Sequence, residues 1–271
     1  MPTILITGVS TGIGRASALR FQRAGWRVIG TVRNPETAEH LDGVELEALD
    51  LAVQGSAAHL AERVLASLGC PDVILNNAGM LQFGPLEYYP AEELERLYRV
   101  NVFSQLELVR PFLPSMRERG SGVIANVTSL GGLLVFPFFG AYNSTKWAME
   151  GISEGLWHEL KPFGVRVKAI EPGFVETAIW GKVLPGADEP VEGAGPYRPY
   201  MEEMRRFESS ITSRTTPEAA AEEVFSSITD DTDRLRYPIS AYARPMSFAR
   251  RVIGDRRFMR FFHRRWMGPK A

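Results

Sequence analysis

The chain has a single cysteine, Cys70, in 271 residues. One thiol forms no internal disulfide, so the fold must rest on its core, and cysteine usage points to a cytoplasmic protein. Histidine is almost as scarce. His40, His59, His158 and His263 are scattered, with no two at a metal-ligand spacing, which argues against a metal site. Long apolar runs are missing too. The longest, Leu130 to Tyr142, is broken by Gly131, Gly132, Pro137 and Gly140. It falls well short of the roughly 20 residues that a membrane span needs. The first strand pattern begins at Thr3, leaving no room for a signal peptide ahead of it. Charge imbalance is absent as well. A formal net charge of −1 gives no whole-surface field for nucleic acid or an anionic membrane.

What is present is a large apolar share, 45% of the chain, enough for one sizeable core. A chain of this length suits a single α/β domain spanning residues 1–271. Short β-branched or apolar runs occur at Ile4–Thr7, Arg27–Val32, Val44–Leu49, Val73–Asn76, Gly122–Val127 and Val165–Ile170. Helical stretches separate them, at Gly14–Ala24, Ser56–Leu68, Glu92–Met116 and Tyr142–Leu160. This alternation predicts a doubly wound parallel sheet of the Rossmann kind, with helices on both faces. The runs are continuously apolar, as strands buried on both sides require. Residues 178–215 are loose and rich in proline and glycine, which predicts a substrate loop or lid. A helix restarts at Thr216-Pro217-Glu218, a cap residue followed by a first-turn proline and an acid.

The first strand runs into Thr7-Gly8-Val9-Ser10-Thr11-Gly12-Ile13-Gly14, and a helix follows. Side chains would block such a turn, or the close approach of a pyrophosphate. The helix start offers free N–H groups to phosphates. The second strand ends at Val32-Arg33-Asn34. An acid there would accept hydrogen bonds from a ribose 2′-hydroxyl and select NAD(H). Arg33 can instead clamp a 2′-phosphate, so NADP(H) is favoured over NAD(H).

Proton transfer to or from a carbonyl oxygen needs a tuned acid. A free tyrosine, with a pKa of about 10, is too weak an acid near neutral pH unless a cation favours its phenolate. Tyr142-Asn143-Ser144-Thr145-Lys146 places a phenol and an ammonium one helical turn apart. Ser129 follows the fifth strand run, at the edge where an open sheet binds ligands. Asn101 sits in an otherwise apolar helix, where a polar side chain needs a reason.

Taken together these motifs resemble the short-chain dehydrogenase/reductase family. The glycine spacing matches its Thr-Gly-x-x-x-Gly-x-Gly motif. Asn76-Asn77-Ala78-Gly79 matches a second motif that stabilises the sheet and borders the cofactor. Asp50-Leu51 matches an adenine-contacting position. Asn101, Ser129, Tyr142 and Lys146 match the catalytic tetrad in order and spacing.

The resemblance implies an alcohol–carbonyl oxidoreductase. Ser129 would hydrogen-bond the substrate oxygen, and Tyr142 would act as acid or base. Lys146 would hold the nicotinamide ribose and lower the Tyr142 pKa, while Asn101 would anchor a relay water. Gly8, Ser10, Thr11, Gly12, Ile13, Gly14, Asn77, Ala78 and Gly79 would border the cofactor. In the segment from Glu171 to Thr177, Pro172 and Gly173 form the family's Pro-Gly step, Val175 meets the carboxamide and Thr177 closes over the phosphates. A homodimer or homotetramer built partly on the helix at Tyr142 is also implied. The resemblance covers residues 1 to about 177 and is architectural beyond.

Met80, Leu81, Leu130, Leu133, Phe136, Phe174 and Trp180 are expected near the nicotinamide face, which suggests a hydrophobic substrate of steroid-, retinoid- or lipid-like kind. The tail, residues 244–271, interleaves Arg256, Arg257, Arg260, Arg264 and Arg265 with Phe258, Phe261, Phe262 and Trp266. Packing of these aromatics on the substrate loop or a subunit partner is favoured over a membrane surface. A rival to the enzyme is a non-catalytic NADP(H)-binding sensor of the same fold. A sugar epimerase or dehydratase fits the glycine spacing and modest length poorly.

Overall fold

The computed structural model describes residues 1–177, 195–240 and 242–267. Strands β1 (Thr3–Ile6), β2 (Arg27–Val32), β3 (Val44–Ala48), β4 (Val73–Asn76), β5 (Gly122–Val127), β6 (Val165–Pro172) and β7 (Arg236–Ile239) form one sheet. Their order is β3-β2-β1-β4-β5-β6-β7, and every pairing is parallel. This is the doubly wound, Rossmann-like arrangement. The chain moves outward from β1 to β3, then returns to start β4 on the other side of β1. A crevice opens at that reversal, beyond the strand C-termini.

Alternation along each strand builds two cores. Ile4 and Ile6 of β1 face one side, with Val73 and Leu75 of β4. Leu5 and Ile74 face the other. Helices α1 (Gly12–Arg23) and α8 (Pro217–Thr229) cover the first side through Ala18, Phe21, Val224 and Ile228. Helices α2 (Ser56–Leu68), α4 (Ser104–Val109), α5 (Leu113–Arg119) and α6 (Gly140–Leu160) cover the second, with Leu60, Leu108, Met116 and Leu156.

Three elements differ from the sequence reading. The seventh strand was not foreseen, because it is four residues long and contains Pro238. Proline is tolerated there because β7 is the outermost strand of the sheet. The expected helix Glu92–Met116 is segmented. Helix α3 (Ala91–Tyr98) leads into a π-turn at Arg99–Phe103, then α4, a 3-10 turn at Arg110–Phe112 and α5. Pro111 and Pro114 have no N–H to give to the helical ladder, which explains the second break. The expected loop 178–215 holds a helix, α7 (Arg198–Ser209), in its described part. Met201 and Met204 bury its apolar side. Residues 178–194, with Trp180, lie outside the described residues. The tail forms helices α9 (Ala243–Ile253) and α10 (Asp255–Trp266).

Candidate active site

The phosphate loop between β1 and α1 is shaped by contacts that only glycine permits. Gly8 has φ +74, and a Cβ there would lie 2.8 Å from that of Ala78. A Cβ on Gly14 would come within 2.2 Å of the Gly8 carbonyl oxygen. Thr7 and Asn77 hold the loop to the end of β4. The Thr7 hydroxyl accepts from the Asn77 and Ala78 N–H groups, both at 2.9 Å. The Asn77 amide donates back to the carbonyls of Thr7 and Gly8.

Helix α1 starts at Gly12 with no side-chain cap and no acid in its first turn. Its N–H groups are therefore suited to an anion. Ser10 and Thr11 are exposed beside it, while Ile13 turns inward against the core. Thr177 approaches from the Pro-Gly segment, 3.2 Å from where a Gly12 Cβ would stand. Pro172 and Val175 are buried, and the Gly173 N–H is anchored on the Ile239 carbonyl and the Ser240 hydroxyl.

Two further cofactor candidates stand at strand ends. Arg33 is exposed after β2 and makes no ion pair among the described residues. Asp50 is exposed after β3, where its carboxylate accepts from the Ala52 N–H at 2.9 Å. Leu51 is buried, and its carbonyl accepts from Ser104. These surroundings fit a dinucleotide: a glycine-walled turn, an uncapped helix start and a free cation at the β2 end.

The tetrad gathers around the start of α6. Thr128 and Ser129 are neighbours with opposite fates. The Thr128 hydroxyl is buried and donates to the Ile170 carbonyl at 3.0 Å. Ser129 is partly exposed, accepts from the Gly131 N–H at 2.9 Å and hydrogen-bonds with the Tyr142 phenol. Lys146 is buried and donates to the Val127 carbonyl at 2.9 Å, with its ammonium 5.8 Å from the Tyr142 ring centre. Gly79 is exposed, and a Cβ there would lie 3.7 Å from the Lys146 nitrogen.

Asn101 lies in the π-turn, a local irregularity common at functional sites. Its side-chain oxygen accepts from the Met80 N–H at 2.7 Å. Its amide donates to the Met80 carbonyl and to Thr145 on α6. Asn101 thus clamps the segment after β4 to the helix that carries Tyr142 and Lys146.

The electrostatics differ from expectation in one respect. Burial pushes the Tyr142 phenol up to about 12, and the hydrogen bond with Ser129 opposes this. Lys146 contributes no lowering. Burial brings its own pKa down to about 8, against the raising influence of Glu150. An ammonium that is itself costly to charge, and is held on a carbonyl, does little for the phenolate. At neutral pH the phenol of the protein alone is protonated.

Ser129 and Tyr142 share a cleft with Leu81, Leu130, Phe136, Phe139, Phe174, Met204 and Phe207. Four of these were expected: Leu81, Leu130, Phe136 and Phe174. Met80 packs instead in the core beneath α2 and α4, and Leu133 offers its carbonyl to Arg250. Phe139, Met204 and Phe207 were not foreseen. The spacing of Met201, Met204 and Phe207 on α7 was an available helical signal, masked by the surrounding prolines and glycines. Glu208, paired with Arg214, is the charged group in the lining among the described residues. The tail closes this region. Phe258, Phe262 and Trp266 are buried in the same apolar cluster as Leu130 and Phe139, with the Phe136 ring 5.7 Å from that of Phe262.

Together, the sheet reversal, the glycine turn and the tyrosine–lysine turn of helix define a dinucleotide-binding α/β oxidoreductase. The short chain dehydrogenase family profile matches residues 2–187. An uncharacterized oxidoreductase of Schizosaccharomyces pombe is 33% identical, over 87% of this chain and 98% of its own. The 17-beta-hydroxysteroid dehydrogenase type 1 of Mus musculus is 32% identical, over 87% of this chain and 73% of its own. A short-chain dehydrogenase from Streptomyces avermitilis superposes with a TM-score of 0.80 at 33% identity, covering 98% of this chain and 96% of that one. The chain belongs to the short-chain dehydrogenase/reductase family and is an NAD(P)-dependent oxidoreductase.

Proposed function

We propose that the chain is an NADP(H)-dependent enzyme interconverting a secondary or primary alcohol with a ketone or aldehyde on a hydrophobic substrate. The observation that carries this is the pairing of Ser129 and Tyr142 in the wall of a predominantly apolar cleft, whose lining also holds Asn143 and Glu208. Such a cleft favours a steroid-, retinoid- or lipid-like body, with two hydroxyls to grip one oxygen. The mouse relative named for a hydroxysteroid supports that substrate class.

In this reading Ser129 donates a hydrogen bond to the substrate oxygen. Tyr142 gives its phenolic proton to that oxygen in reduction and takes it back in oxidation. The phenol carries the proton to be given at neutral pH, but burial makes it a weaker acid than a free tyrosine, so the donation relies on the positive charge that would develop on the nicotinamide. Lys146 holds the nicotinamide ribose, and Asn101 keeps the two helical turns in register while anchoring the relay water. The backbone of Gly8, Ser10, Thr11, Gly12 and Ile13 receives the pyrophosphate. Arg33 takes the 2′-phosphate, and Asp50 with Leu51 borders the adenine. The nicotinamide, when bound, supplies or accepts the hydride.

The test is Tyr142→Phe, assayed on a panel of lipophilic and small charged carbonyls. Turnover is expected to fall by about 10²- to 10⁴-fold, with NADPH binding unchanged by fluorescence titration. A non-catalytic sensor would show no turnover to lose. Turnover confined to small charged carbonyls would remove the substrate assignment.

A further inference from the structure

Helices α9 and α10 have two unlike faces. Phe258, Phe262 and Trp266 recur every fourth residue and are buried against the cleft wall. Away from it, large apolar side chains stand in solvent: Phe248 is 67% exposed, Val252 65% and Ile253 47%. Phe248, Arg251 and Val252 fall on one face of α9, at i, i+3 and i+4. Val252 and Ile253 then lead through Gly254, at φ +81, straight into Arg256 and Arg257. The apolar and cationic groups are therefore contiguous at one helix–turn–helix corner.

The charge there is one-sided. Between Ala243 and Met267 stand eight arginines and one acid, Asp255, while the whole chain carries −1. Asp255 is already paired with Arg250 at 2.9 Å. Arg251, Arg256, Arg257, Arg260 and Arg264 are exposed and make no ion pair among the described residues. The rest of the molecule is acidic, so this corner is a localised positive pole.

Exposed apolar side chains beside unpaired guanidiniums match a surface that is anionic outside and apolar just beneath. We propose that the α9–α10 corner docks on an anionic phospholipid bilayer, with Phe248, Val252 and Ile253 entering the headgroup boundary and Arg251, Arg256 and Arg257 on lipid phosphates. A nucleic acid would use the arginines and leave the apolar side chains in water. No helix among the described residues is long and apolar enough to cross a membrane, so the attachment is peripheral. It places the lipid surface on the reverse of the helices whose side chains pack behind the cleft wall. Docking requires no particular reaction and does not rest on the proposed activity.

The experiment is flotation of the full chain with phosphatidylcholine vesicles, with and without phosphatidylserine, at low and high salt. Binding is expected only with phosphatidylserine, and is expected to weaken in high salt. Arg256→Gln with Arg257→Gln should weaken it roughly thirtyfold. Phe248→Ser with Val252→Ser should abolish it at unchanged net charge. Both pairs should keep the parent's circular dichroism and melting temperature. Absence of flotation on anionic vesicles, equal flotation on neutral ones, or indifference to both variant pairs would overturn the proposal. So would a dimer in light scattering that the Phe248 and Val252 changes dissociate, because the corner would then face a second copy of the chain.

Discussion

Arg33 concentrates the cofactor question in one side chain. It stands exposed at the end of β2, where a carboxylate would favour a ribose hydroxyl and a guanidinium favours a phosphate. Hydrogen bonds to charged groups contribute enough for a fold-change of about 10 to 100. Arg33→Ala should therefore lower kcat/KM for NADPH by that factor and leave NADH within about twofold, as steady-state kinetics with each cofactor would reveal. Equal use of both cofactors by the parent protein would remove the argument. The neighbouring pair Thr128 and Ser129 gives a different lesson. Two adjacent hydroxyls are chemically equivalent in a sequence, where only the spacing to Tyr142 distinguishes Ser129 from Thr128. The fold supplies the physical reason, since Thr128 turns inward to the Ile170 carbonyl while Ser129 faces the cleft. The effect of Lys146 on Tyr142 was not legible, because it depends on burial of both groups rather than on their separation along the helix.

At the scale of elements, legibility followed locality. The glycine turn, the asparagine pair after β4 and the tyrosine–lysine turn each lie within one short segment, so their spacing carries the geometry. The cleft wall is different. Phe139, Met204 and Phe207 line it, with Phe262 and Trp266 packed in the cluster behind them, and the five arrive from three separate stretches of chain that meet only through tertiary packing. β7 and the π-turn escaped for related reasons: an edge strand with a proline has no strand periodicity, and a π-turn leaves an apolar helix pattern almost intact. The packed tail invites a prediction. Phe262 touches Phe136 and stacks near Trp266, with ring centres 4.5 Å apart. Phe262→Ala should raise KM for a hydrophobic substrate by about tenfold, the effect of losing roughly 1.4 kcal/mol of contact, while KM for NADPH stays unchanged. The melting temperature should also fall. A lower melting temperature with an unmoved substrate KM would make α10 a structural brace and not part of the substrate wall.

For the molecule as a whole, stability is tied to pH through charges buried where β6 and β7 meet α6. Glu150 and Glu171 are both buried, and Arg236 reaches them at 3.1 and 3.6 Å. Arg236 also pairs with the exposed Glu154. Burial first, then the neighbouring Glu150 charge, pushes Glu171 from 4.5 up to about 8. A carboxyl raised on folding binds its proton more tightly in the folded state. Its contribution to stability is complete below 4.5 and is lost as pH climbs through 8. Burial also brings Lys146 and Lys168 down from 10.5 to about 8. Their effect has the opposite sign and falls in the next window: between 8 and 10.5 the unfolded chain holds more protons, so stability rises with pH. The two windows adjoin without overlapping, which lets one substitution isolate the first. Glu171→Gln removes the titration and keeps the shape. Subtracting the parent's melting temperature from that of Glu171→Gln should give a difference that grows by several degrees from pH 5 to pH 8, then levels off. A difference constant across the whole range would mean that Glu171 keeps the same charge folded and unfolded, and that Arg236 neutralises it despite the burial.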